Sequence, residues 1–235
     1  MTIPRPEYPR PQFVRRDWLN LNGEWQFEID HGDSGLQRGL RERELTGRII
    51  VPFCPESALS GVSNTDFMRA VWYRKQVTIP AAWAGMNALL HFGAVDYDAT
   101  VWVNGVEVGR HRGGFTPFTC TLRGVAQPGE TVAIVVRARD DWQPPQPRGK
   151  QSQRYENYSC FYVRTTGIWQ TVWLEPVPDC ALKRPRLTPD VANGCFHLDQ
   201  PLSAIRPGLM LRAILREGEA PAAIAEVPAD RDFCP

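Results

Sequence analysis

Two acidic pairs and one long polar loop are the features of this sequence most able to do chemistry. Asp96 and Asp98 stand two positions apart, which places both side chains on one face of a strand. Paired carboxylates can divide acid and base work between them, yet aspartates beside a tight turn also satisfy its backbone hydrogen bonds, and that bland role is the expected one here. Asp140 and Asp141 are adjacent. A strand sends neighbours to opposite faces, so this pair is expected to cap a loop. That loop runs from Asp140 to Arg164 and contains Q-P-P-Q-P-R-G-K-Q-S-Q-R-Y-E-N-Y. A structureless segment of such length is uncommon in a compact domain and often carries function. Arg148, Lys150, Gln151 and Tyr155 supply hydrogen-bonding groups, and Tyr158 or Trp142 a ring face for stacking. The alternative is a loop that only packs against neighbouring structure, with Arg154 and Arg164 paired to Glu156 and Asp140 at the surface, where ion pairs contribute little.

Other chemistries find less support. His31, His91, His111 and His197 are isolated, with neither H-x-H nor H-x-x-x-H spacing, so no metal site is expected. Cys54, Cys120, Cys160, Cys180, Cys195 and Cys234 include no C-x-x-C pair and read as reduced, mostly buried thiols. No cofactor motif is present. The 27 basic and 26 acidic residues leave a net charge of +1, which gives no long-range attraction to nucleic acid. No apolar run approaches the ~20 residues of a membrane span. Residues Met1 to Phe13 hold four prolines and no apolar signal core, so the expected location is cytoplasmic.

The elements that must position these groups are strands. The chain's 21 prolines and 19 glycines fall between short apolar runs, which disfavours long helices. In Glu24 to Asp30, Trp25, Phe27 and Ile29 alternate with Glu24, Gln26 and Glu28, the period-2 pattern of a half-buried strand. Trp72 to Ile79, Ala88 to Gly93, Thr131 to Arg139 and Trp169 to Glu175 are further strands. In Thr100 to Gly109, Asn104-Gly105 suits a type I′ turn and predicts a hairpin. Trp18, Trp25, Trp102, Trp169 and Trp173 read as core residues in alternating strands rather than a stacking platform. No helical pattern separates the strands, so an antiparallel β-sandwich is the expected closure.

Composition changes after Val177, where Pro178, Pro185 and Pro189 cluster. A domain boundary is expected near residue 178, giving a first domain over 1–177 and a second over 178–235. The second shows three or four strand-like runs at most, including Cys195 to Leu198 and Leu209 to Leu215, fewer than the about seven of an immunoglobulin-like sandwich. It is therefore expected to be incomplete.

Several segments together resemble one family. Leu21-Asn22-Gly23-Glu24-Trp25-Gln26-Phe27, Val51-Pro52-Phe53-Cys54-Pro55-Glu56-Ser57, Val71-Trp72-Tyr73-Arg74-Lys75, Phe92-Gly93-Ala94-Val95-Asp96-Tyr97 running into Val101-Trp102-Val103-Asn104-Gly105, Gly113-Gly114-Phe115-Thr116-Pro117-Phe118, and Thr166-Gly167-Ile168-Trp169-Gln170-Thr171-Val172-Trp173-Leu174 occur in order. This ordered set resembles glycoside hydrolase family 2, which includes β-galactosidases, β-glucuronidases and β-mannosidases.

The resemblance implies an all-β region: a galactose-binding-like jelly-roll sandwich, then the start of an immunoglobulin-like sandwich, ahead of a catalytic (β/α)₈ barrel absent from these residues. Cleavage in such enzymes needs two carboxylates about 5 Å apart, and the family's glutamates lie on the barrel. The chain alone is thus expected to be inactive, with no catalytic residue of its own, its enzyme status left open. The resemblance also places this loop and an earlier one at the barrel mouth, making Asp66, Arg148, Lys150, Gln151 and Tyr155 the candidate substrate-binding residues. The galactosidase branch carries an acidic residue in the later loop, and Gly149-Lys150-Gln151 stands there instead. The implied partner is a β-glycoside carbohydrate, with homo-oligomers left open and no nucleic-acid or membrane partner. Competing readings are a stand-alone carbohydrate-binding module and a structural interaction domain.

Overall fold

The computed structural model describes residues 2–141 and 145–230, and the backbone of 233–234. It divides into two compact units: one of Arg15–Pro176 with the residues before Arg10, the other of Arg10–Val14 with the residues from Val177 onward. The described residues are nearly all β, with two one-turn 3₁₀ segments at Ala58–Ser60 and Ala81–Trp83. No helix among them is long and apolar enough to cross a membrane.

Twelve strands build the first unit: β1 (Leu19–Asn20), β2 (Gly23–Ile29), β3 (Gly47–Val51), β4 (Ala70–Thr78), β5 (Asn87–Phe92), β6 (Val95–Asp96), β7 (Asp98–Val103), β8 (Val106–Arg112), β9 (Phe118–Thr121), β10 (Thr131–Arg139), β11 (Gly167–Ile168) and β12 (Val172–Val177). A six-stranded sheet has the order β3-β2-β4-β10-β7-β8, a four-stranded sheet β1-β12-β5-β9, and a short ribbon pairs β11 with β6. The core lies between the two larger sheets. Trp25 and Phe27 of β2, Tyr73 and Val77 of β4, and Val132, Ile134 and Val136 of β10 meet Leu90 and Phe92 of β5 and Val172 and Leu174 of β12. The period-2 pattern sets these faces, because each strand buries alternate residues. The β7–β8 hairpin turns at Asn104 (φ 49°) and Gly105 (φ 79°). Asn104 Oδ1 also accepts from Ala133 N at 2.9 Å, fixing the turn to β10.

The outer face of the six-stranded sheet is also covered. Leu40, Leu45, Trp72, Trp102 and Val135 form a second cluster. Trp72 stacks on Trp102 at 5.7 Å, and the Arg137 guanidinium lies 5.7 Å from the Trp72 ring centroid. The tryptophans divide accordingly: Trp25, Trp72, Trp102 and Trp173 are buried, whereas Trp18 and Trp169 are half-buried and lie outside strands.

The strand expected over Trp169 to Glu175 starts later, at Val172. The short β11 before it pairs with β6, while β12 pairs with β1. The chain changes partners across Trp169–Thr171, where Trp169 Nε1 donates to Gly114 O at 2.7 Å. The thiols also differ from expectation. The described cysteines are free, but only Cys120 is buried; Cys160 and Cys195 are exposed, Cys54 and Cys180 intermediate.

The second unit contains β13 (Arg186–Asp190), β14 (Cys195–Pro201), β15 (Met210–Glu217), β16 (Ala220–Pro228) and β17 (Phe233–Cys234). The first, second and last of these form one sheet in the order β13-β14-β17, and β15 and β16 form a hairpin. These five strands exceed the three or four expected. Four alanines and two prolines dilute the β-branched Ile224 and Val227 of β16, yet pairing with β15 extends it.

Candidate functional site

The loop from Asp140 to Arg164 is held from beneath by three buried carboxylates. Asp96 ends β6, Asp140 follows β10, and Glu56 comes from the segment after β3. Gln151 Nε2 donates to Asp96 Oδ2 at 2.7 Å, and Gln151 Oε1 accepts from Thr165 N at 2.9 Å. Asp140 accepts from Gln146 Nε2 at 2.6 Å and from Thr166 Oγ1 at 3.2 Å, with Arg148 Nη1 at 3.6 Å. Glu56 Oε2 accepts from Thr166 N at 3.2 Å. Buried polar groups require such partners: the loop residues Gln151, Gln146 and Arg148 serve Asp96 and Asp140, and Thr166, just past the loop, serves Asp140 and Glu56.

This arrangement raises acid pKa values. Burial, followed by the charge of Asp140, pushes Asp96 up to about 7. Burial also raises Asp140, against the pull of Arg148, and raises Glu56 despite its hydrogen bond from Thr166. Cys54 goes up to about 12, first by burial and then by the Glu56 charge. Nearby glycines keep the space that this packing requires. A Cβ on Gly114 would strike the Asp96 carboxylate, and one on Gly167 (φ +74°) would overlap the Tyr73 hydroxyl, which accepts from Ile168 N at 3.1 Å.

Arg164 is the second fastening. It is buried and donates to the carbonyls of Thr65, Ser152 and Arg154, while its guanidinium lies 3.9 Å from the Phe67 ring centroid. It thereby ties the earlier loop around Asp66 to the later one. The expected surface pairing of Arg164 with Asp140 is replaced by these carbonyl bonds, because a planar five-donor group suits convergent backbone oxygens. Arg154 instead lies over the Tyr158 ring, 4.2 Å from its centroid.

The five sequence-chosen residues separate into two groups. Gln151 is buried, and the Arg148 side chain is 11% exposed. Arg148 also donates to Asp141 O, so both residues look inward. Asp66, Lys150 and Tyr155 are exposed. Tyr155 packs edge-on against Phe67 at 5.0 Å, beside Asp66. Tyr158 stacks on Phe161 at 4.9 Å, and Trp142 lies outside the described residues. Asp96 and Asp98 serve separate contacts: the first takes Gln151, while the second meets Arg112 at 3.5 Å. Sequence reasoning missed Glu56, Thr166 and the buried role of Arg164. The available signal was an acidic residue set among Pro52, Phe53 and Pro55.

A cleft of about 260 Å³ opens at the same end of the six-stranded sheet. Its carboxylates each face an arginine: Asp141 with Arg69 at 3.2 Å, Asp98 with Arg112 at 3.5 Å, and Asp33 with Arg139 at 2.7 Å. Tyr97 and Gln146 complete the lining. Paired in this way, the cleft is polar and balanced in charge. It offers hydrogen bonds to a hydroxylated ligand but presents no free acid/base couple.

Comparison with known proteins matches this architecture. The family profile described as glycosyl hydrolases family 2, sugar binding domain, matches residues 58–178. A β-glucuronidase from Paenibacillus borealis is 34% identical over 138 residues, covering 57% of this chain and 23% of the relative. A β-glucuronidase from Canis lupus familiaris is 34% identical over 134 residues, covering 52% of this chain and 20% of the relative. The chain thus spans about a fifth to a quarter of these relatives. A solved β-glucuronidase from Ruminococcus gnavus, in complex with uronic deoxynojirimycin, has the same fold, with a TM-score of 0.72 at 19% identity, covering 92% of this chain and 39% of that one. With half of its length matched by the family profile and the all-β sandwich in place, the chain belongs to glycosyl hydrolase family 2, whose sugar-binding domain it carries.

Proposed function

We propose that this chain forms the sugar-recognising, non-cleaving part of a hydrolase acting on O-glycosidic bonds, with β-glucuronides as the substrate class. The substrate class rests on the β-glucuronidase relatives. The carrying observation is the loop itself: buried carboxylates fix its inner residues, and Lys150 and Tyr155 remain on its exposed side, with Asp66 exposed on the earlier loop that Arg164 ties to it. A lysine and a tyrosine held in a fixed loop suit a uronic acid, the first for its carboxylate and the second for its ring face. Residues 1–177 act as the jelly-roll domain in this reading, and 178–235 belong to an immunoglobulin-like domain.

Cleavage itself requires two carboxylates about 5 Å apart across the sugar. The carboxylates grouped here are committed elsewhere, Asp96, Asp140 and Glu56 to the loop and its flank and those of the cleft to arginines. In this reading the residues that cut lie outside this stretch. Calorimetric titration of the purified 235-residue chain with methyl β-D-glucuronide, β-D-galactoside and β-D-mannoside tests this. In this reading the chain supplies only one wall of the sugar site and recognises sugar within the whole enzyme, so absence of binding to the isolated chain at millimolar sugar is expected. Millimolar or tighter binding of one sugar would establish an independent binding module and overturn the reading.

A further inference from the structure

The second unit brings together three unlike ligand groups. In the β13–β14 pairing, Asp190 stands opposite Cys195 and Thr188 opposite His197. Cys195 and His197 are two apart on one strand, so they share a face, and direct cross-strand partners share it too. Asp190, Cys195 and His197 thus project from one side of the hairpin. A carboxylate oxygen, a sulfur and a ring nitrogen from the three lie within 4.8 Å of one another, and His197 Nε2 is 3.5 Å from Asp190 Oδ2. Asn193, in the turn, steadies the carboxylate: its backbone N donates to Oδ1 at 3.1 Å and its Nδ2 to Oδ2 at 2.8 Å. Cys195 is a free, exposed thiol.

We propose that Asp190, Cys195 and His197 form a binding site for a thiophilic divalent cation, zinc above all, with solvent completing its coordination. Sulfur and imidazole donors favour zinc and disfavour calcium or magnesium, which take oxygen shells. Tetrahedral zinc, with bonds of about 2.0–2.3 Å, sets its ligand atoms roughly 3.3–3.7 Å apart. The Asp190–His197 separation is already in that range, and rotation of the exposed Cys195 side chain closes the remainder. Binding releases the thiol proton of Cys195 to solvent, and Asn193 acts as the outer partner that orients a ligating carboxylate. The signal in the sequence is C-x-H with an aspartate across a hairpin turn, which neither a C-x-x-C nor an H-x-x-x-H search finds.

Titration of the whole 235-residue chain with Co²⁺, followed by absorbance, tests the site. One equivalent should produce a thiolate-to-cobalt charge-transfer band that Zn²⁺ displaces. The band should vanish in Cys195→Ser, persist in Cys160→Ser, and require about tenfold more cobalt in Asn193→Ala. A wild-type chain without the band, or a band unchanged in Cys195→Ser, overturns the proposal. Alkylation of the unmutated chain, mapped by mass spectrometry, is independent of variant folding. Zn²⁺ should protect Cys195 but not Cys160, and equal labelling of Cys195 with and without Zn²⁺ overturns the proposal as well.

Discussion

Gln151 Nε2 donates to Asp96 Oδ2 at 2.7 Å, joining the 140–164 loop to a strand residue 55 positions earlier in the chain. The other end of the same amide accepts from Thr165 N, so one buried side chain spans the base of the loop and ties it to the sheet. Replacing Gln151 with Ala leaves both partners without their bonds, at a cost of about 2–3 kcal/mol. Urea unfolding should show a lower midpoint with an unchanged slope. Limited proteolysis of the variant should cut within 141–164 before any strand of the first unit.

The buried acids give a pH dependence with a definite sign. Asp96 titrates at about 7 in the folded chain and at about 3.9 when unfolded. Between those values the folded chain holds a proton that the unfolded chain has released, so stability falls as pH rises from about 4 to 7 and levels off above. Asp140 and Glu56 shift in the same direction and add to the slope. Asp30 shifts downward, its bonds from Trp72, Ser34 and Gly35 outweighing burial. Its contribution is lost as pH falls below the ordinary aspartate range, so it acts under a different window. Asp96→Asn should flatten the decline, each proton accounting for at most about 1.4 kcal/mol per pH unit. Thermal unfolding across pH 4–8 measures it, and a slope equal in both proteins would contradict the assignment.

Gly167 and Gly61 share a left-handed backbone but differ in surroundings. A Cβ at Gly167 meets the Tyr73 hydroxyl, whereas at Gly61 (φ +79°) nothing lies within 4 Å. Gly61→Ala should cost about 1 kcal/mol from backbone strain alone. Gly167→Ala adds overpacking against a buried tyrosine, for a total of about 3 kcal/mol. Chemical denaturation of the two variants separates these contributions.

Tyr155 is 67% exposed and touches Phe67 at the loop surface. Tyr155→Ala should leave stability within about 0.5 kcal/mol. In a chimera carrying residues 58–176 in place of the matching segment of the Paenibacillus borealis β-glucuronidase, the same change should raise KM for an aryl β-glucuronide about fivefold with kcat unchanged, the loss of ~1 kcal/mol of ground-state contact.

The sandwich was legible because its strands obey a two-residue period and its main hairpin turns on Asn104-Gly105. What the sequence concealed were the places where tertiary pairing overrides local pattern. Alternation continues through Trp169–Thr171, but the backbone changes sheets there. β16 is mostly alanine and proline, with Ile224 and Val227 as its β-branched residues, yet its partner strand holds it extended. At the candidate site, residue type identified a hydrogen-bonding loop but not its direction. Gln151 and Arg148 look as able to bind a ligand as Lys150 does, and only the buried carboxylates of Asp96 and Asp140 draw them inward. Asp96 lies 55 positions before Gln151, so no local spacing reveals that pairing; Asp140 is close in sequence to Arg148, but its burial comes from the sheet and not from spacing.

The reading of this chain as a part that recognises sugar without cutting it is tested most directly by incubating the repurified 235-residue protein with 4-nitrophenyl β-D-glucuronide. Nitrophenol release should equal that of the buffer blank. Release above the blank that co-purifies with the chain through successive columns and is abolished by mutating a carboxylate within it would contradict the account.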